Sequence, residues 1–156
     1  MANNYFQATM TPSIPLTETQ YLALTMDCHG VDGEDTEREP EDWERLQQRW
    51  IDTSSLEAYE NSMPIISSIE KDDNDTYYIY FENGLEEGVL DALEDILCTL
   101  PDEYKYLQIE GAATCSKMRP GEFGGFAVHI TRGNIRAFST NSWLFEQRVL
   151  SKTKAA

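Results

Sequence analysis

The chain has 156 residues, 40 % of them apolar and 11 % aromatic, enough to fill one hydrophobic core and short for two. No stretch approaches the roughly 18–20 apolar residues of a membrane span, and the N-terminus MANNYFQATMTPSIPLT has neither the basic start nor the apolar run of a signal peptide, so a single cytoplasmic domain over 1–156 is expected. The 28 acids against 12 Lys and Arg give −16, a field that repels nucleic acid and anionic membrane and draws in basic surfaces.

Net charges of magnitude about 2 to 8 already keep a small domain soluble, so −16 exceeds that need. The acids are also lopsided. Residues 27–110 hold 25 acids against 5 bases, whereas residues 111–156 hold 2 acids against 7 bases: Lys117, Arg119, Arg132, Arg136, Arg148, Lys152 and Lys154. A general adaptation to salt would spread the acids evenly. The pattern predicts an acidic face and a less acidic back, unless the basic third folds onto the acids and cancels part of the field. The three cysteines, Cys28, Cys98 and Cys115, are odd in number, widely spaced and without a C-x-x-C pair, which argues for reduced thiols.

Along the chain, weak alternation through Tyr5, Phe6, Ala8 and Met10 before Pro12 and Pro15 predicts a strand ending near Thr11. Thr17 with Gln20 forms a T-x-x-Q capping box for a helix that carries Tyr21, Leu22 and Leu24 to about Met26. Residues 27–40, DCHGVDGEDTEREP, have the composition of an acidic mobile loop. Pro40 then suits a helix start, and Trp43, Leu46, Trp50 and Ile51 fall at i, i+3, i+7 and i+8 on one face. Residues 65–82 read as a hairpin, IISSIE and TYYIYFE around the polar cluster 71–75. After Gly84, Leu85, Val89, Leu93, Ile96, Leu97 and Leu100 recur at helical spacing until Pro101. Strands are expected at 104–112 and 123–131, and a short strand or turn over 135–138. A last helix capped by Thr140 or Ser142 follows, and the tail 151–156 is expected to fray. The order implies an α+β domain, with a mainly antiparallel sheet of four to five strands and about four helices, at least one packed on one sheet face.

Two surfaces carry candidate binding chemistry. The helix at 85–100 holds Glu86, Glu87, Asp91, Glu94 and Asp95 and no Lys or Arg. Like charges three or four residues apart lie about 5–6 Å from each other and destabilise a helix by roughly 0.2–0.5 kcal/mol per pair. That spacing is near the phosphate repeat of one nucleic-acid strand, so the row is a candidate phosphate mimic, extended by Asp72, Asp73 and Asp75 in the hairpin turn. A solvated acidic face without a partner is the plainer alternative. The second surface is the sheet. Alternation places Ile79, Phe81, Leu107, Ile109, Phe126, Val128 and Ile130 on a core side and Tyr78, Tyr80, Tyr106, Gln108, Glu110 and His129 on the other. This tyrosine-rich side is a secondary binding face, with Glu110 and His129 as a candidate pair; burial of the tyrosines under the N-terminal segment is the expectation weighed against it.

Metal and catalytic patterns are weaker. Asp27, His29, Asp32, Glu34 and Asp35 crowd one loop, but Val31 occupies a ligand position of the EF-hand spacing and Gly33 falls late. Cys115, in CSKMRPGEFGG near Lys117 and Arg119 and upstream of His129, is the one candidate nucleophile, without a recognised local signature. The sequence calls for no cofactor.

The lopsided acidity, small size and missing catalytic signature are similar in physical type to the DNA-mimicking inhibitors that phages and plasmids use against restriction or CRISPR systems, a resemblance of charge with no shared motif. It implies a non-enzymatic inhibitor that binds the basic nucleic-acid channel of a partner protein or effector complex and makes no direct contact with nucleic acid or membrane. The rivals are an accessory or regulatory domain that binds a protein through the tyrosine face, and a small enzyme built on Cys115 and His129. Unpaired Trp and Tyr surfaces also leave a homodimer open.

Overall fold

A computed structural model describes residues 4–26, 39–53, 68–82, 84–85, 87–115 and 123–154. These form β1 (Asn4–Thr11), α1 (Glu18–Thr25), α2 (Asp42–Thr53), β2 (Ser68–Lys71), β3 (Tyr77–Glu82), α3 (Glu87–Thr99), β4 (Leu107–Cys115), β5 (Gly124–Thr131), β6 (Asn134–Ser139) and α4 (Thr140–Lys154). The strands make one antiparallel sheet in the order β2-β3-β1-β4-β5-β6.

The fold class is the expected α+β, but the sheet has six strands rather than four or five. The added strand is β6. Gly133, at φ +83, lets Arg132 and Gly133 turn the chain in two residues, so that Thr131 faces Asn134 and the ladder runs on to Phe126 opposite Ser139. β6 carries Ile135 and Phe138 three apart rather than alternating, which is why its period does not announce a strand. β4 begins at Leu107 instead of Tyr104, because the Tyr104 amide donates to the Pro101 carbonyl in a turn that closes α3. It runs on to Cys115, paired with Asn4 of β1. α4 continues to Lys154, through residues where fraying is expected from the sequence. The 27–40 loop lies largely outside the described residues, as does the strand start at 65–67.

The N-terminal strand is not a flap. β1 lies in the middle of the sheet, between β3 and β4, and its Ala8 and Met10 join Ile79, Phe81, Leu107, Ile109, Val128 and Ile130 in the core. Helices α1, α2 and α3 bury Ala23, Leu24, Trp50, Val89, Ala92, Leu93, Ile96 and Leu97 in the same cluster, so they cover this one sheet face. Each large side chain removed from water in this way contributes about 1.5–3 kcal/mol. Phe6 and Phe126 stack with ring centroids 4.9 Å apart across β4, whose facing positions are Gly111 and Ala113. Small residues there let two rings from strands on either side of β4 meet.

Polar contacts lock the helices together. The Thr17 hydroxyl accepts from the Gln20 amide at 3.1 Å while the Gln20 side chain accepts from the Thr17 amide at 3.0 Å, the reciprocal box expected from T-x-x-Q. At the other end of α1, the buried Gln47 side chain of α2 donates to the carbonyls of Ala23 and Met26 at 3.0 and 2.9 Å, satisfying groups a helix C-terminus leaves open. Arg132 donates to the carbonyls of Leu100 and Pro101 and pairs with Asp102 at 3.5 Å, placing a positive charge at the negative end of α3.

Candidate functional site

The α3 carboxylates do not stand as a free row. Asp95 accepts from the Trp50 indole at 3.1 Å and from Arg49 at 3.3 Å, both on α2. Glu94 accepts from the Gly133 amide at 2.6 Å and so holds the β5–β6 turn. Asp91 is half-buried and has a partner within the fold. Glu86 lies outside the described residues, as does the side chain of Glu87. An acid-rich helix without lysine is therefore explained in part by intramolecular partners supplied by α2 and the β5–β6 turn, which spacing along one helix cannot reveal.

The hairpin turn is also organised from within. Asp72 accepts from the Thr76 hydroxyl at 2.6 Å, from the amides of Asn74 and Thr76 at 2.8 and 3.0 Å, and from Ser13 at 3.3 Å. The Thr76 hydroxyl bond, aided by the others, holds the Asp72 carboxyl below its ordinary value. Asp75 sits at φ +60, a conformation Asp tolerates, and pairs with Lys71 at 2.7 Å; that hydrogen bond holds the Lys71 ammonium above its ordinary value. Asp73 is exposed at the tip.

The second surface is open. Tyr78 and Tyr106 are 39 % and 44 % exposed, Gln108 and Glu110 are exposed, and Tyr80 and His129 are half-buried. The expected covering by the N-terminal segment does not occur, because that segment is the central strand. Instead, β1 adds its own outward residues, Tyr5, Gln7, Thr9 and Thr11, to the face. The register lines up one row from Tyr80 through Thr9, Glu110 and Ala127 to Phe138, and a second from Thr11 through Gln108 and His129 to Arg136. Six strands spaced about 4.8 Å apart make this platform roughly 24 Å wide. Its exposed acids, Glu70, Glu82 and Glu110, come from three strands. Tyr5 and Phe138 are not among the expected face residues, because the sequence alone does not show that β1 lies inside the sheet or that the short strand or turn over 135–138 pairs along β5.

The proposed pairs within this face are not all formed. His129 lies across from Gln108 with Nδ1 3.3 Å from its amide nitrogen, and its ring sits 5.4 Å from Tyr106, whereas Glu110 lies opposite Ala127. Glu110 and His129 are thus neighbours on one face rather than a hydrogen-bonded acid/base pair. Cys115 is paired with Asn4, seven residues along β4 from the position opposite His129, a distance of roughly 24 Å. The Cys115–His129 centre is therefore not assembled. Among the described residues no cluster of His, Cys, Asp and Glu could hold a metal ion, and the 27–35 candidates lie outside them. No described helix is long and apolar enough to cross a membrane.

A flat aromatic surface with carboxylates between the rings can dock a protein. Tyrosines offer large contact area with few rotatable bonds, and a carboxylate beside them rewards an arginine or lysine on the partner. Compared with protein-family models, with curated proteins and with solved structures, the chain matches none.

Proposed function

We propose that this chain is a non-enzymatic binding domain that docks a basic protein surface on its open sheet face. The observation that carries the reading is the uncovered platform of Tyr78, Tyr106 and Glu110 on a chain of charge −16. Long-range attraction brings the basic partner in, and tyrosine burial then supplies the short-range energy. The finer proposal is that the partner is a nucleic-acid-binding protein or effector complex, and that the domain acts as an anti-defence inhibitor of the anti-CRISPR or anti-restriction kind, by occupying a channel meant for phosphates.

Relative to a row of mimicking acids on α3, the site moves to the sheet face and the exposed tip at Asp73, since Asp95 and Glu94 are engaged within the fold. A salt-gradient elution of captured proteins, followed by competition with DNA and RNA, tests the reading. Salt-sensitive capture that nucleic acid displaces is expected; capture that neither salt nor nucleic acid affects would point instead to a regulatory domain whose acidity is incidental.

A further inference from the structure

The C-terminal helix exposes large apolar side chains between its polar ones. Trp143, Leu144, Phe145 and Leu150 are 48, 46, 66 and 53 % exposed. Successive helical residues are about 100° apart, so Trp143, Leu144 and Phe145 alone span more than half the circumference. Among the described elements, α4 packs chiefly against β5 and β6. Large apolar side chains gathered on one exposed element mark a contact surface.

The neighbouring strand is equally incomplete. The sheet has two edges, and they differ. β2 is four residues long and ends in the exposed charges Glu70 and Lys71, a short and blunted edge. β6 is six residues long, has no further strand on its outer edge among the described residues, and carries Phe138 at 51 % exposure. α4 follows it without an intervening residue, so edge and helix form one surface.

From this we infer that a second copy of the chain covers this end, in a two-fold dimer in which α4 and the β6 edge of each protomer meet those of the other. The area fits. Phe138 and the four α4 side chains expose on the order of 500 Å² of apolar surface, about the apolar content of one side of a standard interface of roughly 800 Å² that is about 60 % apolar. A cleft of about 270 Å³ between α4 and the sheet is lined by Phe126, Val128, Ala137, Phe138 and Trp143 among others, and Phe145, the most exposed of the group, does not line it. Phe145 is therefore available to the cleft of the partner, and a two-fold axis repeats the exchange. Charge favours the same end. Two copies at −16 repel, and the repulsion is weakest away from the acids; β6 and α4 contain Arg136, Arg148, Lys152 and Lys154 and a single acid, Glu146.

Sedimentation of the full chain, with reductant so that the exposed Cys98 cannot cross-link, tests the dimer. A mass twice 17.8 kDa is expected between about 1 and about 100 μM, with β6 amides exchanging more slowly as concentration rises. Phe145→Glu with Leu150→Glu should return the mass to 17.8 kDa. If that variant does not fold, the milder Phe145→Ala and Phe138→Ala should each raise the dimer dissociation constant at least about tenfold. Wild-type protein that is monomeric at about 100 μM, or a dimer whose dissociation constant is the same in the alanine variants, overturns the inference.

Discussion

The indole of Trp50 on α2 donates to the carboxylate of Asp95 on α3 at 3.1 Å, and this bond closes the interface between the two helices. Trp50 is 2 % exposed, so its N–H depends on acceptors within the fold. Asp95→Ala is expected to destabilise the fold by about 1–3 kcal/mol, the cost of removing the carboxylate acceptor from a buried donor. Asp95→Asn, which keeps an acceptor oxygen, should cost less. Urea midpoints of the three proteins check this ordering, and equal midpoints would show that the bond contributes nothing.

Gln47 makes the same argument at the end of α1. Its side chain is 6 % exposed and serves two carbonyls, Ala23 and Met26. Gln47→Leu conserves the bulk and removes both bonds, so a loss of about 1–3 kcal/mol is expected. Hydrogen exchange should quicken in α1 more than in β4, and uniform quickening across the molecule would contradict a local role.

Strong acid should weaken the β2–β3 turn. The folded chain binds the ionised Asp72 more tightly than the unfolded chain does, chiefly through the Thr76 hydroxyl, so its folded-state value is depressed below 3.8. The stabilisation is complete above the ordinary carboxylate range and is lost as pH falls through the depressed value. A carbon-detected NMR titration should place the Asp72 midpoint below 3.8, and Asp72→Asn should flatten the acid limb of the stability curve. A midpoint at or above 3.8 would contradict the bonding described for the turn.

Gly111 is constrained by its neighbour in β1. A Cβ at this position would approach the Cβ of Ala8 to 2.5 Å and the Cα of Ala8 to 2.8 Å, closer than real carbons come. Gly111→Ala is expected to cost about 1–3 kcal/mol through overpacking and to disturb the Phe6–Phe126 stack across the same strand. Gly133→Ala, in open space but at φ +83, should cost about 1 kcal/mol through backbone strain alone. Thermal denaturation of the two variants separates crowding from strain.

Much of the architecture is legible in single residues. Thr17 and Gln20 fix the start of α1 by a local reciprocal bond, and Val89, Leu93, Ile96 and Leu97 fix the buried face of α3 by period alone. The inward side of the sheet follows from alternation in β3, β4 and β5. What sequence could not show depends on residues far apart in the chain. Asp95 is 45 residues from Trp50 and Glu94 is 39 from Gly133, so nothing in the acid spacing of α3 marks either as engaged. The openness of the tyrosine face likewise follows from where β1 inserts, between β3 and β4, which is a matter of topology.

The consequence for the candidate site is specific. Reversing the α3 acids together would remove the acceptor of Trp50 as well as charge, so loss of binding in such a variant would report unfolding as readily as recognition. Substitutions on the sheet face avoid this, because Tyr78, Tyr106 and Glu110 are exposed and outside the core.

The most direct measurement is therefore a side-by-side capture from bacterial lysate on immobilised wild-type protein and on a Tyr78→Ala, Tyr106→Ala, Glu110→Lys variant, eluted by a salt gradient, with circular dichroism to show that both are folded. Wild type should retain a basic protein that elutes as salt rises, and the variant should release it at least about tenfold more readily. Retention of the same protein to the same salt by the variant would contradict the assignment of binding to the open sheet face.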